Sequence, residues 1–338
     1  MLFLKDDSKM IKYRYKITSF TILIVLITTG AFVYIKHTAN NQYQTLPNNN
    51  GSNLTDTSWV KNKYLNIAYA AVSDAQKLDI YLPNDKKFPK PYPVIIAIHG
   101  GAFLGGDKAD YQLKPILEGI KYGYAVVAIN YRLSGETTFP AAIQDVKAAI
   151  RFIKANATKY NLNPNAIAVW GDSAGANLAA LAATSGNKIT QLDDLSLGNK
   201  KYSANVQACV DWFGPTDFSK MDDQFNQSGL GKANHSQDDS PESLYIGSNV
   251  GNSPEKTKLS NPETYISKET PPFLIEHGGI DNMVPTQQSI NFYNKLVKVI
   301  GKDKVELVII EGAKHGGEKF ETKDNLELVF NFLDRILK

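Results

Sequence analysis

The chain has one cysteine in 338 residues, so no disulfide within it can hold the fold. Cys209 lies in the apolar run 206–210 and is expected to pack as a small hydrophobe. Exported eukaryotic chains of this size often carry disulfides, so their absence favours a bacterial source. No cysteine stands near the N-terminus, which excludes a lipid anchor on that residue. Five histidines and the single cysteine show no metal-ligand spacing, so neither a metal nor a cofactor is expected. Charge of one sign is scarce as well. Against 37 Lys and Arg stand 34 Asp and Glu, a net charge of +3, much of it in the N-terminal segment. A nucleic-acid partner needs a basic face, and none is present. No segment repeats.

What is there begins with a basic flank and a hydrophobic run. Lys5, Lys9, Lys12, Arg14 and Lys16 precede nineteen uncharged residues, 17–35. At about 1.5 Å per residue this run covers roughly 28 Å, one hydrocarbon core. The positive flank is expected to stay in the cytoplasm and the rest to be exported, as a single-pass membrane-anchored or a secreted chain. The full apolar length favours retention of 1–37 as a signal anchor, whereas Thr28-Thr29-Gly30-Ala31 would suit cleavage as a signal peptide. Residues 38–58 are rich in Asn, Gln, Thr, Ser and Gly, have little to bury, and read as a flexible linker. The Asn-x-Ser/Thr triplets at Asn53, Asn156, Asn226 and Asn234 are chance matches in so Asn-rich a chain.

Residues 59–338 read as one α/β domain. Apolar or alternating runs at 64–70, 77–82, 93–99, 125–131, 166–170, 206–213, 272–277 and 305–311 predict eight strands. Helical spacing predicts helices over 141–160, 286–300 and 325–337. The alternation implies a mostly parallel eight-stranded sheet with helices on both faces, the first two strands forming an antiparallel hairpin. The stretch 217–267 breaks the pattern. It is long and polar with one apolar patch, Leu244-Tyr245-Ile246, and reads as a small cap lacking an amphipathic helix with a broad apolar face.

The chemistry is concentrated at strand ends. Gly171-Asp172-Ser173-Ala174-Gly175 joins the apolar run 166–170 to a small-residue helical segment. That is the strand–turn–helix context of a G-x-S-x-G nucleophile elbow, although a helix-capping serine would also fit. Asp281 follows the run 272–275, and His315 follows 305–310. In an open α/β sheet such ends share one edge, so Ser173, Asp281 and His315 can converge there in the order Ser, Asp, His. The histidine would take the serine's proton, and the aspartate would hold the imidazole tautomer. Asp217, after the run 206–210, is the rival acid. Asp172 adjoins the serine, but successive turn residues point apart. Among the other histidines, His99 is expected to prop its loop, His277 precedes the acid and breaks the order, His235 is expected to be solvated, and His37 lies in the N-terminal segment. Arg132 and Asp145 read either as an ion pair or as ordinary surface charge.

The chain resembles the α/β-hydrolase esterases and lipases with a His-Gly-Gly oxyanion motif, and within them the bacterial feruloyl and acetylxylan esterases. The resemblance is carried by His99-Gly100-Gly101-Ala102-Phe103, Asn130-Tyr131-Arg132-Leu133, the elbow, Asp211-Trp212-Phe213-Gly214-Pro215-Thr216-Asp217, Pro271-Pro272-Phe273-Leu274, His277-Gly278-Gly279-Ile280-Asp281 and Gly312-Ala313-Lys314-His315. It implies the α/β-hydrolase fold, Ser173, Asp281 and His315 as the catalytic triad, and oxyanion donors on the backbones of Gly101, Ala102 and Ala174. Phe103 is expected to touch substrate. Ala102 and Ala176 depart from relatives that carry glycine, and Ala102 is expected to keep its donor only with a negative φ. The function implied is hydrolysis of short-chain esters, either small molecules or acetyl and feruloyl groups on polysaccharide, through an acyl-enzyme. An exported peptidase or amidase of the same fold is the alternative, although the large extra domain of oligopeptidases is missing. An inactive binding protein would usually have lost a triad member.

Overall fold

The computed structural model describes residues 54–84 and 87–338. The hydrophobic run 17–35 lies outside the described residues, among which no helix is long and apolar enough to cross a membrane.

All eight expected strands form. They are β1 (Asn62–Ala68), β2 (Lys77–Leu82), β3 (Tyr92–Ile98), β4 (Ala125–Ile129), β5 (Leu162–Asp172), β6 (Ala208–Trp212), β7 (Phe273–Gly278) and β8 (Val305–Ile310). The sheet order is β1-β2-β4-β3-β5-β6-β7-β8. β2 pairs antiparallel with β1 and β4, and every later pairing is parallel. The helices among the described residues are α1 (Leu113–Leu117), α2 (Ala141–Ala155), α3 (Ala157–Tyr160), α4 (Ala174–Ser185), α5 (Met221–Ser228), α6 (Pro241–Ile246), α7 (Pro254–Leu259), α8 (Gln287–Ile300) and α9 (Lys323–Leu337).

Strand side chains alternate between two apolar layers. Val94, Ile96 and Ile98 of β3 join the layer of α2, α4 and α8, where Phe292, Leu296 and Ile300 pack. Ile95 and Ala97 join the layer of α1 and α9, with Val329, Phe330 and Leu333. The central strands are thus buried on both faces, which is why they read as continuous apolar runs. Cys209 on β6 is fully buried, as a small hydrophobe would be.

Three expectations need correction. The run 141–160 is two helices, divided at Asn156, which leaves the helical conformation at φ −107°, ψ 14° and adds its side-chain amide to the Phe152 carbonyl at 2.9 Å. The linker ends earlier than residue 58. Leu54 bridges to Asp110, and Thr55 N–H donates to the Ala109 carbonyl at 2.9 Å. The cap carries helices α5, α6 and α7, of eight, six and six residues. It is not polar throughout. Phe218, Met221, Phe225, Tyr245 and Ile246 are buried beneath it.

Arg132 and Asp145 form an ion pair. The guanidinium donates to both carboxylate oxygens at 2.8 and 2.7 Å, and Gln76 adds a donor at 2.7 Å. Glu276 on β7 is buried in the second layer, with one oxygen on the Asn325 amide at 2.8 Å and the other unpaired. Burial pushes its carboxyl from 4.5 up to about 7, with the Asn325 amide opposing. An acid raised in the folded state holds a proton that the unfolded chain has already lost. Stability therefore falls as pH rises from 4.5 to about 7 and is level above. Glu276→Gln should accordingly stabilise the protein by about 2 kcal/mol more at pH 8 than at pH 5. Urea denaturation at the two pH values measures the difference, and equal shifts would refute the assignment.

Candidate active site

The turn between β5 and α4 carries Ser173 at φ 55°, ψ −122°. That conformation costs on the order of 1–3 kcal/mol and persists only where neighbours impose it. Here they do. Ser173 N–H donates to the Trp212 carbonyl on β6 at 2.9 Å, and the start of α4 presses against the end of β3. A Cβ on Gly175 would fall 2.1 Å from the Ile98 carbonyl oxygen, and one on Gly171 would fall 2.2 Å from that of Gly175. Only glycine fits at either position.

Asp281 and His315 reach the serine because their loops are joined. Gly279 N–H donates to the Ile310 carbonyl at 2.9 Å, and Ile280 N–H to that of Ala313 at 3.0 Å. His315 Nδ1 lies 2.7 Å from Asp281 Oδ2, and its Nε2 lies 2.8 Å from Ser173 Oγ. A carboxylate can only accept, so Nδ1 carries the proton and Nε2 is left to accept from the serine hydroxyl. Phe213 holds the imidazole edge to face, with centroids 4.7 Å apart. Asp281 is fully buried and accepts four N–H groups. His315 and His277, the latter at 3.2 Å, meet Oδ2; the backbones of Met283 and Val284 meet Oδ1 at 2.8 and 3.0 Å. Burial alone would raise its pKa, but the two imidazoles outweigh it and hold the carboxyl well below the usual range.

The loop after β3 is strained. Gly101, Ala102 and Phe103 take φ of 111°, 56° and 61° in succession. Ala102 therefore departs from the expected negative φ. An L-residue tolerates the left-handed region at about 1–2 kcal/mol. The strain is held by Leu104 and Gly105 N–H groups on the Gly101 carbonyl at 2.9 and 3.0 Å. Gly100 packs on the elbow, where a Cβ would lie 3.2 Å from that of Ser173. His99 props the loop as expected. Its Nδ1 donates to the Gly100 carbonyl at 2.8 Å, and its ring stacks on Tyr131. Among the described residues, no acceptor meets the N–H of Gly101, Ala102 or Ala174. Phe103 is a correction. It is 2% exposed and stacks on Tyr245 of the cap at 3.8 Å, so it anchors the cap instead of lining an open pocket.

The rivals go elsewhere. Asp217 caps a short 3-10 turn through Ser219 N–H at 3.1 Å, away from His315. Asp172 is buried beside a small cavity of about 10 Å³ lined also by His99, Asp110 and Gln112. His235 is not solvated: Nδ1 meets Glu242 at 3.0 Å and the ring stacks on Phe225. Sequence reasoning missed the work of His277. Its Nε2–H reaches Val284 O at 3.0 Å and Asp281, so Nδ1 accepts from Ser289 Oγ at 2.7 Å on α8. It also missed Asn177 of α4, whose amide donates to the Pro215 and Ser260 carbonyls at 2.8 and 3.3 Å and ties both ends of the cap to the elbow helix. Gly278 and Gly279 after His277 marked a strand end but carried no sign of its partner on α8.

This sheet order, with a serine forced to positive φ between its central strand and helix, is that of the α/β-hydrolases. Comparison with known proteins narrows the class. The chain belongs to the BD-FAE family, whose model matches residues 78–296, and is related to the feruloyl and acetylxylan esterases. It is 33% identical over 234 residues to a probable carboxylic ester hydrolase, LipM, of Mycobacterium tuberculosis, covering 69% of this chain and 51% of that one. A truncated carbohydrate esterase from gut microbiota shares 31% identity with a TM-score of 0.72, covering 84% of this chain and 98% of that one. A bifunctional GH43-CE protein of Bacteroides eggerthii shares 35% identity with a TM-score of 0.70, covering 81% of this chain and 35% of that one. The chain spans about half the length of the curated relatives it matches.

His277→Leu should destabilise the protein by about 2–4 kcal/mol, because it strips a donor from a buried carboxylate and orphans Ser289. His315→Ala, at a side chain 11% exposed, should cost markedly less. Urea denaturation of the two variants checks the order, and a larger loss for His315→Ala would refute it.

Proposed function

We propose that the protein is a serine carboxylic-ester hydrolase that works through an acyl-enzyme. The observation that carries this reading is His315 bridging Ser173 Oγ and a buried, ionised Asp281 through its two ring nitrogens. As Ser173 Oγ attacks the ester carbonyl, Nε2 takes its proton and Asp281 stabilises the resulting imidazolium. The negative oxygen of the tetrahedral intermediate meets the free N–H groups of Ala102 and Ala174, with Gly101 alongside. Collapse breaks the bond to the alcohol, which leaves with the proton from Nε2. Water, deprotonated by the same nitrogen, then releases the acid and restores the serine.

For substrate, we propose short acyl esters, including acetyl or feruloyl groups on polysaccharide. A similar protein named as a carbohydrate esterase, from gut microbiota, supports this class. The cap supports the length limit, because its helices are short and its apolar residues are spent on packing, as Tyr245 is on Phe103. The basic flank and apolar run over 5–35 support export of the domain from the cytoplasm.

Ser173→Ala should abolish hydrolysis of p-nitrophenyl acetate while circular dichroism stays unchanged. Asp281→Asn should lower kcat by about 10³–10⁴, whereas Asp217→Asn should retain most activity. Reversal of these two effects would move the acid to β6. Each buried CH₂ contributes about 0.8 kcal/mol and an exposed one nothing. Across p-nitrophenyl esters graded in length, kcat/KM should therefore peak between acetyl and butyryl and fall by octanoyl. A maximum at decanoyl or longer would refute the length limit.

A further inference from the structure

The ladder of β3 ends at Ile98, which pairs with Ile129 on β4 and Gly171 on β5. The residues that follow must find partners outside the sheet. Gly100 and Gly101 stand in succession there, and glycine has the widest backbone freedom. Whatever aims the N–H groups of this loop must therefore come from neighbouring side chains.

Two peptide planes meet at the α-carbon of Gly100. In each, C=O and N–H point in opposite directions within one rigid plane. In the first plane, the His99 carbonyl accepts the Tyr131 hydroxyl at 2.8 Å, and the Gly100 N–H donates to Gln112 Oε1 at 2.7 Å. In the second, the Gly100 carbonyl accepts from His99 Nδ1 at 2.8 Å. The remaining group is the Gly101 N–H, at the far end of the second plane. Three side chains thus hold three of the four polar groups, and the fourth faces the serine side as an oxyanion donor. His99 and Tyr131 are fixed by stacking on each other. Gln112 reaches the loop from a different element, at the start of α1.

Gln112 is itself held in place. Its N–H donates to Asp110 Oδ1 at 3.0 Å. The Asp110 carbonyl accepts Thr55 Oγ1 at 2.5 Å, and Thr55 N–H donates to the Ala109 carbonyl at 2.9 Å. The helix that Gln112 opens is anchored by buried Leu113, Ile116 and Leu117. A backbone N–H can only donate, so the oxygen of the Gln112 amide faces Gly100 and its nitrogen lies on the other branch. A Cβ on Gly100 would fall 3.2 Å from that nitrogen and 3.2 Å from the Ser173 Cβ. The amide and the nucleophile therefore pack on the same bare α-carbon.

We propose that Gln112 is a positioning residue for ester hydrolysis: by holding the Gly100 N–H, it fixes the peptide plane ahead of the Gly101 donor. It acts through the backbone and needs no contact with substrate. The inference rests on the ester-hydrolase reading above. An oxyanion donor acts as charge develops, so its misplacement lowers kcat and leaves KM nearly unchanged.

The test uses the full chain, p-nitrophenyl acetate as substrate and butylboronic acid as probe. In the probe complex Ser173 Oγ bonds to boron, its proton passes to His315, and a boron-bound oxygen takes the oxyanion's place. Gln112→Met keeps the length of the side chain and removes the acceptor. Gln112→Asn keeps the amide and draws its oxygen back by one methylene, about 1.5 Å. Each variant should lower kcat by about tenfold or more, with KM within about threefold of the wild type. The inhibition constant of the boronic acid should rise in proportion to the loss of kcat. Circular dichroism and thermal melting identify the folded variants, and Asn, hydrophilic at this half-buried position, serves if Met does not fold. Wild-type kcat in a folded variant, or a loss confined to KM, would overturn the role of Gln112 and leave the hydrolase reading standing. A wild type that turns over no ester would overturn the hydrolase reading, and this inference with it.

Discussion

A fully buried carboxylate must be surrounded by donors or lose its charge, and Asp281 is surrounded. Its four N–H contacts come from three parts of the chain: its own loop after β7, His277 on β7 and His315 after β8. His277 is held in turn by Ser289 on α8. Keeping this one charge in the interior therefore locks two strands, a helix and a loop in register. The imidazole that reaches Ser173 is the outermost member of that network. Its tautomer follows from the acceptor-only nature of the carboxylate, and no further device is needed to set it.

Strain gathers on the opposite side of the serine. Gly101, Ala102, Phe103 and Ser173 all have positive φ. These conformations are imposed by contact between the end of β3, the loop after it and the first turn of α4, where the chain segments are too close for any Cβ at Gly171 or Gly175. The result is a group of backbone N–H donors that meet no acceptor among the described residues, held before any substrate arrives. Such preorganisation avoids the reorganisation that water would require as charge develops.

The cap shows how a polar insertion can be held firmly. Its apolar residues form a layer against Phe103, with Tyr245 stacked at 3.8 Å and Phe218 edge-on at 6.1 Å. Amides do the rest. Asn177 fastens both ends of the insertion to the elbow helix, and Gln288 of α8 fastens its start and Gln224. The cap is thus tied to the same two helices that present the serine and support the aspartate. A substrate bound under it would be read by groups in register with the triad.

Much of this was legible in the chain. Two-sided burial makes a parallel strand a continuous apolar run, so the eight strands could be found one by one. The tight elbow demands small residues, so Ser173 stood out, and the order Ser, Asp, His marked Asp281 and His315. The bond of His277 to Ser289, the turn of His235 inward and the burial of Phe103 were not legible, because each depends on a residue at least seven positions away that carries no local pattern. The underside of the cap was hidden for a related reason. The short helices α5 and α6 bury three and four residues, only two of them apolar in each, too few to show a period. The sequence alone determined the α/β alternation, the strand ends at which chemistry could gather, and the residue types available there. Tertiary structure decided which of those ends meet, which way the amides of Gln224 and Gln288 face, and that Ala102 must accept a positive φ. Those outcomes depend on contacts between distant segments, and the energy of such a contact exists only once both sides are in place.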